Sequence, residues 1–321
     1  MPSGDVLPGD ARSCSVGVDE NGLGARLGPL VVTAVYADVT PEGQRLLSRR
    51  PRGLLRSDLD DSKRLVSHAN VELGEAWARV LTGQRHGTPQ ALFEELSIEG
   101  AASLRRECPE HHVQQCWGLA GEALGAGAAV CARLEAHLEK LRNRGVDIKG
   151  VRVTILCTQR LNEARRRGKN RFVSDLHAME ALLLDVRGGV DRDLLATCGK
   201  VGGMSDYDRF FGPLSGRLHT VLDRTRRLSS YYFPGLGRID FVQDADAKNM
   251  LVMLASLVGK YVRELLMARV SRFYAAPTGD ATLVSGYHDE RTDAWVVSNA
   301  RKRRSLRVVD DCFERARDSV S

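Results

Sequence analysis

Residues 17–36 read GVDENGLGARLGPLVVTAVY. The apolar run at 14–18, CSVGV, reads as a short strand that ends at Asp19-Glu20, and PLVVTAVYA at 29–37 is β-branched and reads as a second strand. The link between them, NGLGARLG, is a glycine-rich turn of the kind used where backbone must come close to something. An acidic pair at a strand end is usually a solvated turn. Beside such a link, Asp19 and Glu20 become candidates for a site.

Working outward, a helix is expected from near Ser67 to Thr82, helices across an Ala-, Leu- and Glu-rich stretch at 90–145, and a strand at Val151–Cys157. A helix from about Ser174 to Val186 is ended by Gly188-Gly189, and Leu194–Cys198 reads as a strand. Met204 to about Leu228 reads as largely helical, and Ile239–Val242 as a strand. The long helix expected at Ala247–Phe273 carries Met250, Leu254, Leu257 and Tyr261 on one face. A turn follows Pro277, then a helix near Glu290–Ala300, a basic run, and a final helix from about Asp310. Strands alternating with helices predict an α/β fold, a mixed or parallel sheet covered by helices.

The bulk numbers set bounds. The chain has 321 residues, 43% hydrophobic and 27% charged, with net charge +6. That describes a globular protein whose modest positive excess suits a polyanionic partner. Seven cysteines without regular spacing do not form a disulfide framework. No apolar run is long enough to cross a bilayer, so no membrane partner is expected. Met1 to Ser13 is polar and lacks the apolar core of a signal peptide, so a cytoplasmic setting is expected. Cys108, His111, His112 and Cys116 are zinc-type ligands, but so short a span does not readily wrap one ion, and partly buried cysteines are the simpler reading.

Phosphodiester cleavage requires carboxylates that hold divalent ions close together, and magnesium prefers oxygen ligands. Asp19 and Glu20 at a strand end and Asp246 at the start of the long helix are placed for this, although an Asp there also serves as a helix cap. Four ordered blocks carry a family resemblance. They are GVDENGLGARLGPLVVTAVY, DDSKRL at 60–65, DADAKNMLVMLASLVGKYVRE at 244–264, and SGYHDERTDAWV at 285–296. Together they resemble ribonuclease HII, the type 2 ribonuclease H family, closest to its archaeal and eukaryotic branch. The matching positions are Asp19, Glu20, Gly22, Gly24, Gly28 and Pro29; Asp61, Ser62, Lys63 and Leu65; and Asp246, Ala255, Ser256 and Lys260.

The resemblance implies a ribonuclease H-like domain over 13–277, with a helical insertion at about 90–145, and a C-terminal helical part over 278–321. It implies Mg2+ or Mn2+ held by Asp19, Glu20 and Asp246. The Gly22-Leu23-Gly24 turn would meet a ribose 2′-hydroxyl, the group that separates RNA from DNA. Lys63 would contact a phosphate and Tyr287 would stack near the sugar. The implied reaction is hydrolysis of the RNA strand of an RNA–DNA hybrid, or incision at ribonucleotides embedded in duplex DNA, leaving a 3′-hydroxyl and a 5′-phosphate. Protein partners are not readable from the sequence.

The pattern breaks at one ligand. In ATCGKVGGMSDYDRF at 196–210, Val201, Gly202 and Tyr207 align, but Gly199 occupies the place of the family's strand-end aspartate. Asp206, Asp208 and Asp244 are the nearby acids, and Asp244 lies nearest to Asp246. Leu23 replaces an arginine, which Arg26 could cover, and His288 replaces a proline. A slowed nuclease, a catalytically inactive nucleic-acid-binding relative and a deliberate substitution all fit the glycine. Two basic runs, Arg160 to Arg171 and Arg301 to Arg307, offer phosphate contacts.

Overall fold

The computed structural model describes residues 12–67, 70–84, 87–111, 113–119, 121–202, 204–275 and 282–316. The polar stretch through residue 11, His112 and the turn at Pro277 lie outside the described residues. Strands β1 (Ser13–Asn21), β2 (Leu30–Val39), β3 (Val146–Leu156), β4 (Leu194–Gly199), β5 (Thr220–Arg224), β6 (Leu228–Phe233) and β7 (Gly237–Val242) form one sheet in the order β3-β2-β1-β4-β7-β6-β5. β1 runs parallel to β4, and β4 to β7, while the remaining pairs are antiparallel. This is the mixed sheet flanked by helices that the sequence leads one to expect.

The helices are α1 (Pro41–Leu47), α2 (Leu54–Asp58), α3 (Ser62–Leu65), α4 (Glu72–Thr82), α5 (Pro89–Leu96), α6 (Gly100–Arg106), α7 (Ala128–Arg142), α8 (Thr158–Arg166), α9 (Arg171–Gly188), α10 (Met250–Ala275), α11 (Glu290–Ser305) and α12 (Asp310–Phe313). Alternation along the central strands sorts their side chains between two cores. Val31 and Val35 join Leu254, Leu257 and Trp77 on the α10 side, while Val32 and Ala34 join Leu176, Met179 and Leu182 on the α9 side. Coverage on both faces explains why β1 and β2 read as unbroken apolar runs. Gly17 permits the close packing of α10, since a Cβ there would lie 2.4 Å from the Leu251–Val252 backbone. A third core joins the end of α10 to α11 and α12 through Tyr274, Trp295 and Phe313.

The stretch 204–228 departs from expectation. It holds a 3-10 turn at Asp208–Phe210 and then β5, and β6 begins at Leu228. Gly212, Pro213 and Gly216 interrupt any helix, and Thr220-Val221-Leu222 suits an edge strand. The stretch 90–145 is helical only in α5, α6 and α7, and it is built into the α10-side core through Phe93, Leu134 and Leu141. Helix α4 begins at Glu72 rather than near Ser67, and α12 is four residues long. Among the described residues no helix is long and apolar enough to cross a membrane.

Candidate active site

The parallel strands β1 and β4 end side by side, with Val18 opposite Cys198. This places Gly199 beside the acidic pair. A Cβ on Gly199 would lie 3.3 Å from Glu20 Oε2 and 3.4 Å from Asp19 Oδ1. Both carboxylates therefore face the space that a side chain at 199 would enter. Gly17, the α10-side residue two before Asp19, sets the face of Asp19, whereas Glu20 shares the α9 side with Val16 and Val18.

Asp246 is the third acid expected from sequence. It lies in a 3-10 turn, Ala245–Ala247, ahead of α10 and not at the helix start itself. The cap belongs to Asn249, whose Oδ1 accepts from the N–H of Leu251 (2.9 Å) and Val252 (3.3 Å). Asp246 is thus spared the capping role. Its charge acts on both Asp19 and Glu20. Burial, then the neighbouring Glu20 charge, holds the Asp19 carboxyl well above the usual range. Burial and the Asp175 charge push Glu20 up to about 8, while Lys63 opposes the shift. Lys63 is exposed at the start of α3.

All four sequence blocks meet here. Ser256 on α10 donates to Ser62 Oγ at 2.9 Å. Asn21 Nδ2 donates to the Ser256 carbonyl (3.3 Å), and Lys260 Nζ to the Ser62 carbonyl (3.3 Å). The fourth block arrives through Arg263, whose Nη2 donates to the Ser285 carbonyl at 2.8 Å and whose guanidinium lies 4.4 Å from the Tyr287 ring centroid. The amides of Arg26 and Leu27 donate to the Gly286 carbonyl (2.8 and 2.9 Å). Gly22 sits at φ +90°, and a Cβ there would meet Arg263 Nε at 2.4 Å, so glycine is required on both counts.

The glycine turn has a partner that the sequence does not suggest. Arg315 Nη1 donates to the carbonyls of Gly22 (2.6 Å) and Leu23 (3.3 Å), and its Nε to the carbonyl of Gly28 (2.9 Å). Burial lowers the Arg315 guanidinium to about 9.

Other expectations are not met. Asp206 and Asp208 bind Arg224 at 3.1 and 3.0 Å, away from the carboxylates, and Asp244 is exposed near Lys248. None fills the place of a side chain at 199. Arg26 is held by Asp293 and Glu314, and Leu23 packs against the α9-side core instead of offering a charge. In the first basic run, Arg160 pairs with Glu99 at 2.8 Å, Arg166 with Asp311 and Arg167 with Glu163. In the second, Arg303 pairs with Asp310, whereas Arg301, Arg304 and Arg307 are exposed. Cys108 accepts from Trp117 Nε1 (3.4 Å), and Cys116 packs with the apolar cores, which accords with partly buried cysteines.

Sequence reading missed Asp175. It lies on α9, 0% exposed, and neither carboxylate oxygen has a hydrogen-bond partner. Its charge acts on Glu20, and the Asp19 charge acts on it. Burial and the Asp19 charge raise its carboxyl well above the usual range. A signal was available, since Asp175 continues the buried stripe of Met179, Leu182 and Val186, where an acid does not belong unless something compensates it.

Among the described residues no three His, Cys, Asp or Glu side chains already close around one point at coordination distance. The carboxylates share one space without converging on a single centre. Fold and site together describe a mixed α/β sheet with acidic side chains gathered where its parallel strands β1 and β4 end. The chain is similar in structure to Bst-RNase HIII in complex with Mn2+, at 14% identity and a TM-score of 0.47, covering 97% of this chain and 68% of that one. It is also similar to RNase HII of the PCNA:RNase HII complex from Archaeoglobus fulgidus, at 17% identity and a TM-score of 0.44, covering 96% of each chain. No protein-family model and no curated protein matches the sequence.

Proposed function

We propose that this chain is a divalent-metal-dependent endonuclease of the type 2 ribonuclease H kind. It would hydrolyse the RNA strand of RNA–DNA hybrids or incise at ribonucleotides embedded in duplex DNA. One observation carries the reading: Asp19 and Glu20 face the same space over Gly199, with Asp246 acting electrostatically on both, beside a glycine turn at positive φ. The residues present fit a hard cation. The donors are all carboxylate oxygens, and those of the neighbouring Asp175 are buried without a partner. Asp19, Glu20 and Asp246 would hold Mg2+ or Mn2+. Such ions supply Lewis acidity for attack of water on a phosphodiester.

The chain's own residues would do the rest. Arg315 occupies the carbonyls of Gly22 and Leu23, so a 2′-hydroxyl would be met by N–H groups of the Gly22-Leu23-Gly24 turn. Tyr287 rests one face on Arg263 and is 41% exposed, which suits stacking against a sugar. Lys63, exposed, would take a phosphate. Gly199 favours a second reading, a hybrid-binding relative that no longer cuts, because the position offers no ligand.

The test is incubation of the full chain with Mg2+ or Mn2+ and a duplex carrying one ribonucleotide. Cleavage 5′ to the ribonucleotide is expected, and binding without cleavage supports the second reading. Asp246→Asn is expected to lower cleavage by ~10³-fold or more while leaving hybrid affinity within a few-fold. Strong residual cutting would remove Asp246 from the site.

A further inference from the structure

We infer that Asp175, carried by α9, is the cation ligand that stands in for the side chain missing at Gly199. The inference rests on the reading above and assigns a fourth carboxylate to the same site. Asp175 is fully buried, and neither of its oxygens has a hydrogen-bond partner. A carboxylate left so is costly unless something neutralises or ligates it. Among the described residues no basic side chain forms an ion pair with it; its electrostatic neighbours are Asp19 and Glu20. A divalent cation would give these oxygens a partner, and a hard one accepts three or four oxygens.

Geometry says where it enters. Glu20 points to the α9 side of the sheet, the side that carries Asp175, while its Oε2 also borders the empty space over Gly199. Glu20 therefore connects the two positions. A ligand at 199 would approach from the strand end, whereas Asp175 approaches from the helix covering the opposite face. Asp206 and Asp208 are engaged by Arg224, and Asp244 is exposed beside Lys248, so none of them is, like Asp175, a fully buried acid with both oxygens unpartnered.

The test is Mn2+ binding by the full chain, read by calorimetric titration and by the rise in melting temperature on adding Mn2+. Asp175→Asn is expected to weaken Mn2+ affinity by at least ~10-fold and to remove most of the Mn2+-induced rise. Without metal it should melt no lower than the parent. Moving the carboxylate back in the double variant Asp175→Asn with Gly199→Asp should recover at least half of the lost affinity on a logarithmic scale. An Asp175→Asn protein that binds Mn2+ within twofold of the parent overturns the assignment, as does a parent chain that binds none. If Asp175→Asn does not fold, the double variant decides alone: Mn2+ binding near the parent's supports the exchange, and its absence overturns it. The two readings fail separately. Tight Mn2+ binding without hybrid cleavage removes the nuclease and leaves Asp175 standing on its affinity data. Cleavage with Mn2+ affinity untouched by Asp175→Asn removes Asp175 and leaves the nuclease.

Discussion

Helix α9 buries two acids, and only one of them is tied to the fold by hydrogen bonds. Glu180 is 1% exposed, and its Oε2 accepts from the backbone N–H of Gly212 (3.0 Å) and Leu214 (2.9 Å). Asp175, on the same helix, accepts from nothing and lies against two other acids. Glu180 ties a loop to a helix through Oε2, which offsets part of its burial, while its Oε1 has no partner. Asp175 makes no such bonds, so the fold gains nothing visible from its charge. The contrast separates an acid kept for structure from one kept for something the protein binds. Asp58 falls with Glu180, since Arg133 and His137 satisfy it at 2.8 and 3.0 Å.

The largest effect expected to sharpen this contrast is on cleavage. Asp175→Asn should slow hydrolysis of a ribonucleotide-containing duplex by ~10²-fold or more, whereas Glu180→Gln should change it by less than about fivefold. Single-turnover rates measure both, and equal losses would erase the distinction. Next is stability. Glu180→Ala strands two backbone N–H groups and should cost about 2–4 kcal/mol in denaturant unfolding, with the Mn2+ response unchanged. A neutral result would mean that the loop does not depend on Glu180.

The smallest effect is on pH dependence. Burial raises Glu180 to about 7 and, with the Asp175 charge, raises Glu20 to about 8. A carboxyl whose folded value is raised binds its proton more tightly when folded, so its contribution is present at low pH and lost as pH climbs from the ordinary carboxylate range through the raised value. Metal-free protein should therefore lose roughly 2–5 °C in melting temperature between pH 5 and pH 8. Saturating Mn2+ should remove the part associated with Glu20 and with the likewise raised Asp19 and Asp175, and leave the part associated with Glu180. Thermal scans across pH with and without metal read both, and a slope unaffected by Mn2+ would contradict the contrast.

Much of the site was legible because its residues are close in sequence to rigid strand ends. Asp19-Glu20 follows an apolar run, and the glycines after it announce close backbone approach, which Gly22 against Arg263 bears out. What was not legible depended on tertiary pairing. The hairpin of β5 and β6 lies in a stretch with little alternation, and its buried Ser229 and Ser230 hide the pattern. Asn249 rather than Asp246 caps α10, a choice that only the helix start reveals. Arg315 reaches the glycine turn from the far end of the chain, and no local motif marks it. Asp175 sits on an apolar stripe that reads as ordinary core until its missing partners are seen.

Anomalous diffraction from crystals of the full chain soaked in Mn2+ tests the central claim most directly. The account predicts a Mn2+ peak at the ends of β1 and β4, with oxygens of Asp19, Glu20 and Asp246 at coordination distance. Well-diffracting crystals with Mn2+ bound elsewhere, and no peak among those three carboxylates, would contradict it.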